Sequence, residues 1–238
     1  IPARMKSVRL PGKPLINING VPMVVRTYKQ CLKVIDNSLI YVATDSLKIK
    51  KTCEKYGAQV IITSKKCLTG TDRVAEASKK IKSKIFINVQ GDEPTINPKD
   101  IKKIIKAKIK HPNHVICGYD KIQKFENPSN INLPKIVVNE KQELMYISRA
   151  LIPGSKKKIK KYEYLKQVCI YAFNKKELNK FYSKKKKGLI EDMEDIEILR
   201  FFDLGIKVKM VKLNSSSVAV DEFKDIKKAE RLIRAMKL

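Results

Sequence analysis

The sequence predicts an α/β fold with a mostly parallel central sheet flanked by helices. Three observations predict it. Short apolar runs rich in β-branched residues recur at 39–44 (LIYVAT), 58–62 (AQVII) and 85–90 (IFINVQ), which is how strands buried on both faces read. Amphipathic stretches separate these runs. The two kinds of segment alternate, so helical crossovers join successive strands, and that arrangement makes strands parallel.

Each element has a local reason. Ile1 reads as the tail of a strand, and a few residues are expected to precede it. A helix is expected over 22–35, opened by Pro22 and placing Val24, Val25, Tyr28, Leu32 and Ile35 on one face. Thr44, Asp45 and Ser46 are capping residues ahead of a helix over 46–56. Further helices are expected over 71–82 and 98–110, the latter starting at Pro98. Beyond residue 110 the pattern changes. Strands are expected at 115–120, 135–139, 143–147 and 165–173 with less regular connections, then helices at 174–182 and 190–203. A strand at 206–213, the short run VAVD at 218–221 and a helix over 223–237 complete the chain. No repeat and no linker rich in Gly, Pro or Ser interrupts it, so residues 1–238 are expected to form one domain, with 120–172 as an elaborated arm.

Composition narrows the function classes. No apolar run approaches the roughly 20 residues a membrane helix needs, and no secretory leader is visible. The five cysteines are widely spaced without a CxxC, which argues for a reducing, cytoplasmic setting and against a disulfide framework or structural zinc. The two histidines fall in HPNH at 111–114, a loop pattern, so histidine chemistry is not expected. The net charge of +28 invites a nucleic-acid reading. However, lysine is spread over nearly every segment, and the tight runs Lys156–Lys161 and Lys184–Lys187 lack interleaved aromatics. They read as solvated faces, and nucleic acid is not the expected partner.

Chemistry concentrates in three places. The opening segment IPARMKSVRLPGKPL carries Arg4, Lys6, Arg9 and Lys13 at a strand end, the edge where open α/β sheets bind ligands. Such a loop can offer several cations and backbone N–H groups to a triphosphate, and it lacks the Walker A pattern. NVQGDEP at 88–94 ends a buried strand on Asp92 and Glu93, carboxylates suited to a hard cation. VAVD ends on Asp221, which on its own pattern reads as a helix cap.

These segments, with TGTDR at 69–73, ISRALIP at 147–153, IYAF at 170–173, EDMEDIEILR at 191–200 and AVDEFKDI at 219–226, resemble the 3-deoxy-manno-octulosonate (KDO) cytidylyltransferases. They run in the family's order over essentially the whole chain. The resemblance implies a Rossmann-like nucleotidyltransferase fold with a strand-containing dimerisation arm, and a homodimer. It implies that CTP is joined to a KDO-like sugar acid with release of pyrophosphate, for lipopolysaccharide or surface polysaccharide synthesis. It implies Mg2+ on Asp92 and Asp221, with Lys13, Arg4 and Asp92 carrying the catalysis. Ala3, Arg4, Arg9, Lys13, Arg73 and Gln90 are implied around the nucleotide. Gln90, Arg149, Gln167, Tyr171, Glu194 and Glu197 are implied around the sugar, with Glu194 and Glu197 spaced to share a helix face.

The acceptor motifs depart from the family pattern. HxGIY reads Gln167, Val168, Cys169, Ile170, Tyr171 here; ExLEQLR carries Ile198 in place of its Gln; QSGT begins with Leu68. Lost hydrogen-bonding groups in a polar pocket shift specificity. Two further readings are therefore carried: a cytidylyltransferase for another ulosonic acid, nonulosonic acid or activated metabolite, and a basic nucleic-acid-binding protein on a degenerate scaffold.

Overall fold

The computed structural model describes residues 1–7, 9–156, 162–214 and 217–236. The Lys156–Lys161 run lies, past Lys156, outside them. The first half alternates as expected: β1 (Pro2–Ala3), α1 (Met23–Leu32), β4 (Tyr41–Thr44), α2 (Leu47–Lys55), β5 (Gln59–Ile62), α3 (Gly70–Ser78), β6 (Ile85–Val89) and α4 (Pro98–Lys110). A short hairpin, β2 (Asn17–Ile18) with β3 (Val21–Pro22), precedes α1. Local chemistry sets the helix starts. The Ser46 hydroxyl accepts from Ile49 N–H, Thr69 and Asp72 form a capping box, and Asn97 caps α4 ahead of Pro98 at its first turn.

The second half contains β7 (Val115–Lys121), β8 (Lys135–Val138), β9 (Leu144–Ser148), β10 (Leu165–Asn174), α5 (Lys175–Ser183), α6 (Leu189–Glu194), α7 (Arg200–Asp203), β11 (Val208–Lys212) and α8 (Phe223–Ala235). One expectation changes. The helix expected over 190–203 is broken, because Asp195 takes the left-handed conformation at φ 47° and ends α6; a 3-10 turn at Glu197–Leu199 then leads into α7.

The strands form a three-stranded parallel sheet, a six-stranded mixed sheet and the short hairpin. β1, β4 and β5 pair in parallel, as do β11 and β7. Strand β10 runs antiparallel to β6, β7 and β8. Its register against β7 shifts between Val168 and Tyr171, a bulge that re-aims the side chains between them. Side chains alternate along β10. Ile170 and Ala172 join a core with Val24 and Tyr28 of α1 and Ile101 and Ile104 of α4, whereas Tyr171 and Phe173 join a core with Val74 of α3 and Leu178 and Phe181 of α5. Helices therefore cover both faces of the sheet. A third cluster, including Leu10, Ile18, Val220 and Ile233, folds α8 against the opening segment.

Two contacts position the chemistry. Val220 N–H donates to Asp92 O at 3.0 Å, pinning VAVD onto the turn after β6. Gly91 lets that turn pass the end of β1, since a Cβ there would lie 2.8 Å from Pro2 O.

Candidate active site

The opening segment, the turn after β6 and VAVD converge at the mouth of one cleft. Lys13 stands on a 3-10 turn, Lys13–Leu15. Its ammonium donates to Asp92 Oδ2 at 2.5 Å and to Asp221 Oδ1 at 2.9 Å, across 79 and 208 positions. Arg9 Nη2 adds a second cation on Asp221 Oδ1 at 2.9 Å. Burial opposes the Lys13 charge, but the two carboxylates outweigh it and hold its pKa above the ordinary lysine value. A pair of carboxylates bridged by one cation is a hard-oxygen donor set. It fits Mg2+, which takes one or two protein carboxylates and completes its shell with water and substrate phosphates.

Asp221 does not cap α8. Glu222 occupies that position, and Asp225 accepts from the backbone N–H groups of Asp221 and Glu222, so the Asp221 carboxylate is left to face Lys13. The carboxylate that joins Asp92 is thus Asp221 and not the adjacent Glu93. Glu93 is buried, and burial together with the neighbouring Asp92 pushes its carboxyl up to about 8.

The cleft has two adjoining lobes. The first, about 340 Å³, is lined by Ala3, Arg4, Arg9, Lys13, Gln90 and Asp92 among others. The second, about 260 Å³, adds Arg149, Gln167, Cys169, Tyr171 and Glu197. Gln90 lies on the wall they share. A larger cleft of about 510 Å³ lies by Leu39, Ile40, Ile85 and Phe86 and is lined mainly by apolar side chains; it holds none of these converging charges.

Several expected residues reach the cleft in unexpected ways. Arg73 borders the first lobe but is buried, its guanidinium committed to Asp45 Oδ2 at 3.1 Å and Thr63 Oγ1 at 2.5 Å. It braces the floor. Arg149 borders the second lobe, yet Nε, Nη1 and Nη2 donate to the carbonyls of Glu194, Ile131 and Asp195 at 2.5, 2.8 and 3.1 Å. Glu194 and Glu197 do not share a helix face, because the break at Asp195 separates them. Glu194 accepts from Ser148 Oγ at 2.5 Å and Arg149 N–H at 2.8 Å. Glu197 accepts from Thr71 N–H at 2.8 Å and Gln90 Nε2 at 2.9 Å, and burial pushes its carboxyl up. Neither is part of a solvated acidic face. Ile198 points into the core, fully buried, so the polar-to-apolar change there leaves the pocket lining untouched. The departures that face the pocket are Leu68, Gln167, which donates to Tyr171 Oη at 3.2 Å, and Cys169, which sits in the β10 bulge. Burial holds the Tyr171 hydroxyl and the Cys169 thiol well above their ordinary values.

Sequence reasoning missed Lys187. It belongs to a run read as solvated, yet it donates to Asp195 Oδ1 at 2.8 Å and borders the second lobe. The DMED pattern opposite the lysine run was the available signal.

A family model described as Cytidylyltransferase matches residues 1–210. The chain belongs to the cytidylyltransferase family. This cytidylyltransferase is 34% identical over 224 residues to the 3-deoxy-manno-octulosonate cytidylyltransferase of Escherichia coli, spanning 93% of this chain and 89% of the relative. It is 37% identical to the mitochondrial 3-deoxy-manno-octulosonate cytidylyltransferase of Arabidopsis thaliana, over 98% of this chain and 82% of that one. It is 35% identical to the 8-amino-3,8-dideoxy-manno-octulosonate cytidylyltransferase of Shewanella oneidensis, over 97% and 96%. Among solved structures, the CMP:2-keto-3-deoxy-manno-octonic acid synthetase complexed with CTP superposes with a TM-score of 0.89 at 33% identity, covering 100% of this chain and 97% of the other. The enzyme is a nucleotidyltransferase. Among the described residues, no helix is long and apolar enough to cross a membrane.

Proposed function

We propose that this cytidylyltransferase couples CTP to 3-deoxy-manno-octulosonate or a close eight-carbon relative, giving the CMP-sugar acid and pyrophosphate. The observation that carries this reading is the Lys13 bridge between Asp92 and Asp221 at the mouth of a two-lobed cleft. The lobe sizes suit a nucleotide beside a sugar acid, and relatives of both acid types match nearly the whole chain. The product would enter lipopolysaccharide or surface polysaccharide synthesis.

In this reading the anomeric hydroxyl oxygen of the acid attacks the α-phosphorus of CTP. A C–O–P bond forms, the bond from the α-phosphorus to the bridging oxygen breaks, and pyrophosphate departs with that electron pair. The hydroxyl proton is lost to solvent. Asp92 and Asp221 would hold Mg2+, which when bound supplies charge stabilisation to the phosphoryl oxygens. Lys13, Arg4 and Arg9 bind the triphosphate and oppose the charge that builds on it. The backbone at Ala3 and the floor braced by Arg73 seat the nucleoside. Gln90, Arg149, Gln167, Tyr171 and Glu197 line the acceptor, and Glu194 orients Arg149. No covalent intermediate is needed. The chain acts as one unit, and the protein works in the cytoplasm.

A panel of acceptor acids with CTP and Mg2+, scored by pyrophosphate release, tests the assignment. Eight-carbon 3-deoxy acids are expected to turn over at least tenfold faster than nine-carbon acids, since mismatched groups in a polar pocket cost that much. A preference for nine-carbon acids would move the assignment to the nonulosonic class. The 8-hydroxy and 8-amino acids separate the two relative types.

We also propose a homodimer contact formed by α6 and the described residues of the 120–172 segment. Tyr146, Leu189 and Met193 are exposed there at 37%, 78% and 79%, and exposed apolar side chains of this kind mark association surfaces. Light scattering should give the mass of two chains, and Met193→Glu with Leu189→Glu should give one. A wild-type monomer at working concentration would refute the contact.

A further inference from the structure

One guanidinium ties the two lobes of the cleft together. Arg200 is fully buried and serves two carboxylates. Nη1 and Nη2 donate to Asp72 Oδ1 and Oδ2 at 2.7 and 3.2 Å, while Nε and Nη2 donate to Glu191 Oε2 and Oε1 at 2.7 and 2.6 Å. The Phe181 ring, 3.9 Å away, fixes the plane of the fork. Planar, bidentate pairing of this kind is available to Arg and not to Lys.

Each carboxylate also fixes a turn. Asp72 Oδ2 accepts from Thr69 N–H and Oγ1, setting the start of α3 beside the nucleotide lobe. Glu191 Oε2 accepts from Gly188 N–H, setting the start of α6 on the acceptor side. The two sides meet again at Glu197, which accepts from Thr71 N–H in the first turn of α3 and from the Gln90 carboxamide. Gly70 confines that carboxamide from the other side, since a Cβ there would come within 2.8 Å of both its terminal atoms. The placement of Gln90 therefore depends on how α3 and the 188–200 segment are held together.

We propose that Arg200 is a positioning residue: by locking the Asp72 turn to the Glu191 turn, it holds Glu197 where it orients Gln90 toward the acceptor. The inference deepens the function proposed above and rests on it for the substrate. Arg200→Lys keeps the charge and loses the fork. A misplaced Gln90 should raise KM for the acid about tenfold or more, as small misplacements do, while the CTP dissociation constant by calorimetry stays within about threefold. The Thr71 amide should also exchange with deuterium faster, a readout that needs no substrate.

Glu191→Gln, which keeps the side-chain shape, should move the same readouts in the same direction and carries the test if Arg200→Lys does not fold. Combining Arg200→Lys with Glu197→Gln should raise the acid KM no further than Glu197→Gln alone. Multiplying effects would overturn the proposal. So would a lower kcat at unchanged acid KM, which marks only a smaller active fraction, or equal losses for CTP and acid, or unchanged Thr71 exchange. Inactivity of the wild type toward every acid would instead sink the substrate assignment, and the exchange experiment would still decide the role of Arg200.

Discussion

Asp92→Asn lowers turnover by about 10³-fold or more, the equivalent of about 4 kcal/mol of transition-state stabilisation. The variant keeps the shape of the side chain and removes its charge. Among the described residues, Asp92 and Asp221 are the carboxylates that Lys13 reaches, and Asp92 stands at the edge of the sheet, partly exposed. The fold should therefore survive: Lys13 keeps Asp221, Val220 N–H keeps the Asp92 carbonyl, and the melting temperature should move by no more than a few degrees. Pyrophosphate release under saturating CTP and acid is the measurement. Asp221→Asn should behave alike, and the pair together should cost little more than either alone, because both serve one charge centre. Turnover within tenfold of wild type for Asp92→Asn would remove Asp92 from the machinery.

Lys108→Met has the complementary profile, with a large loss of stability and no direct effect on the site. Lys108 and Glu177 form an ion pair at 2.7 Å with 1% and 6% of their side chains exposed. The same ammonium donates to Pro112 O and His114 O at 3.1 and 2.7 Å. It thereby ties the end of α4 and the turn after it to the start of α5, whose Asn174 N–H also rests on Glu177 at 2.7 Å. Removing the cation leaves the buried Glu177 carboxylate without its counter-charge and takes a donor from His114 O and from Pro112 O, which keeps Asn174 Nδ2 at 2.9 Å; breaking such a pair from one side costs about 3–5 kcal/mol. Burial lowers the Lys108 pKa while Glu177 opposes the shift, which marks the ammonium as costly to bury and dependent on its partner. Denaturant unfolding checks the figure. Replacing both partners with apolar residues of similar volume should recover much of the loss; a single variant within 1 kcal/mol of wild type would show that water reaches the pair.

The first half of the fold was legible because its chemistry is local. Ser46, Thr69 with Asp72, and Asn97 before Pro98 announce helix starts, and 85–90 reads as a buried strand. What failed was non-local. Nothing near Asp195 requires the left-handed turn that separates Glu194 from Glu197; the segment bends because Arg200 draws Glu191 and Asp72 onto one point. Ile198 reads as a lost polar contact until the bend turns it into the core. At the site, the opening cations and the NVQGDEP carboxylate were legible as types. The pairing of Asp92 with Asp221 came from the family resemblance, and the two contacts that bring these residues together, the Lys13 bridge and the Val220–Asp92 backbone bond, are contained in no local pattern. Arg73 and Arg149 border the cleft, yet sequence does not say which acceptors have already claimed a guanidinium.

Strand β10 belongs to two structures at once. Its C-terminal half, from Ile170 through Tyr171 to Asn174, pairs with β6, and its first two residues, Leu165 and Lys166, pair with β8, with Gln167 and Cys169 in between. A beam clamped at both ends cannot tilt locally. This wall of the second lobe thus inherits the stiffness of the strands around it, and under the proposed function it has little means of adapting to a new sugar acid by moving. Under that reading, divergence of specificity proceeds by exchanging side chains on a fixed frame, and the bulge at Cys169 is where the frame itself departs from regular pairing.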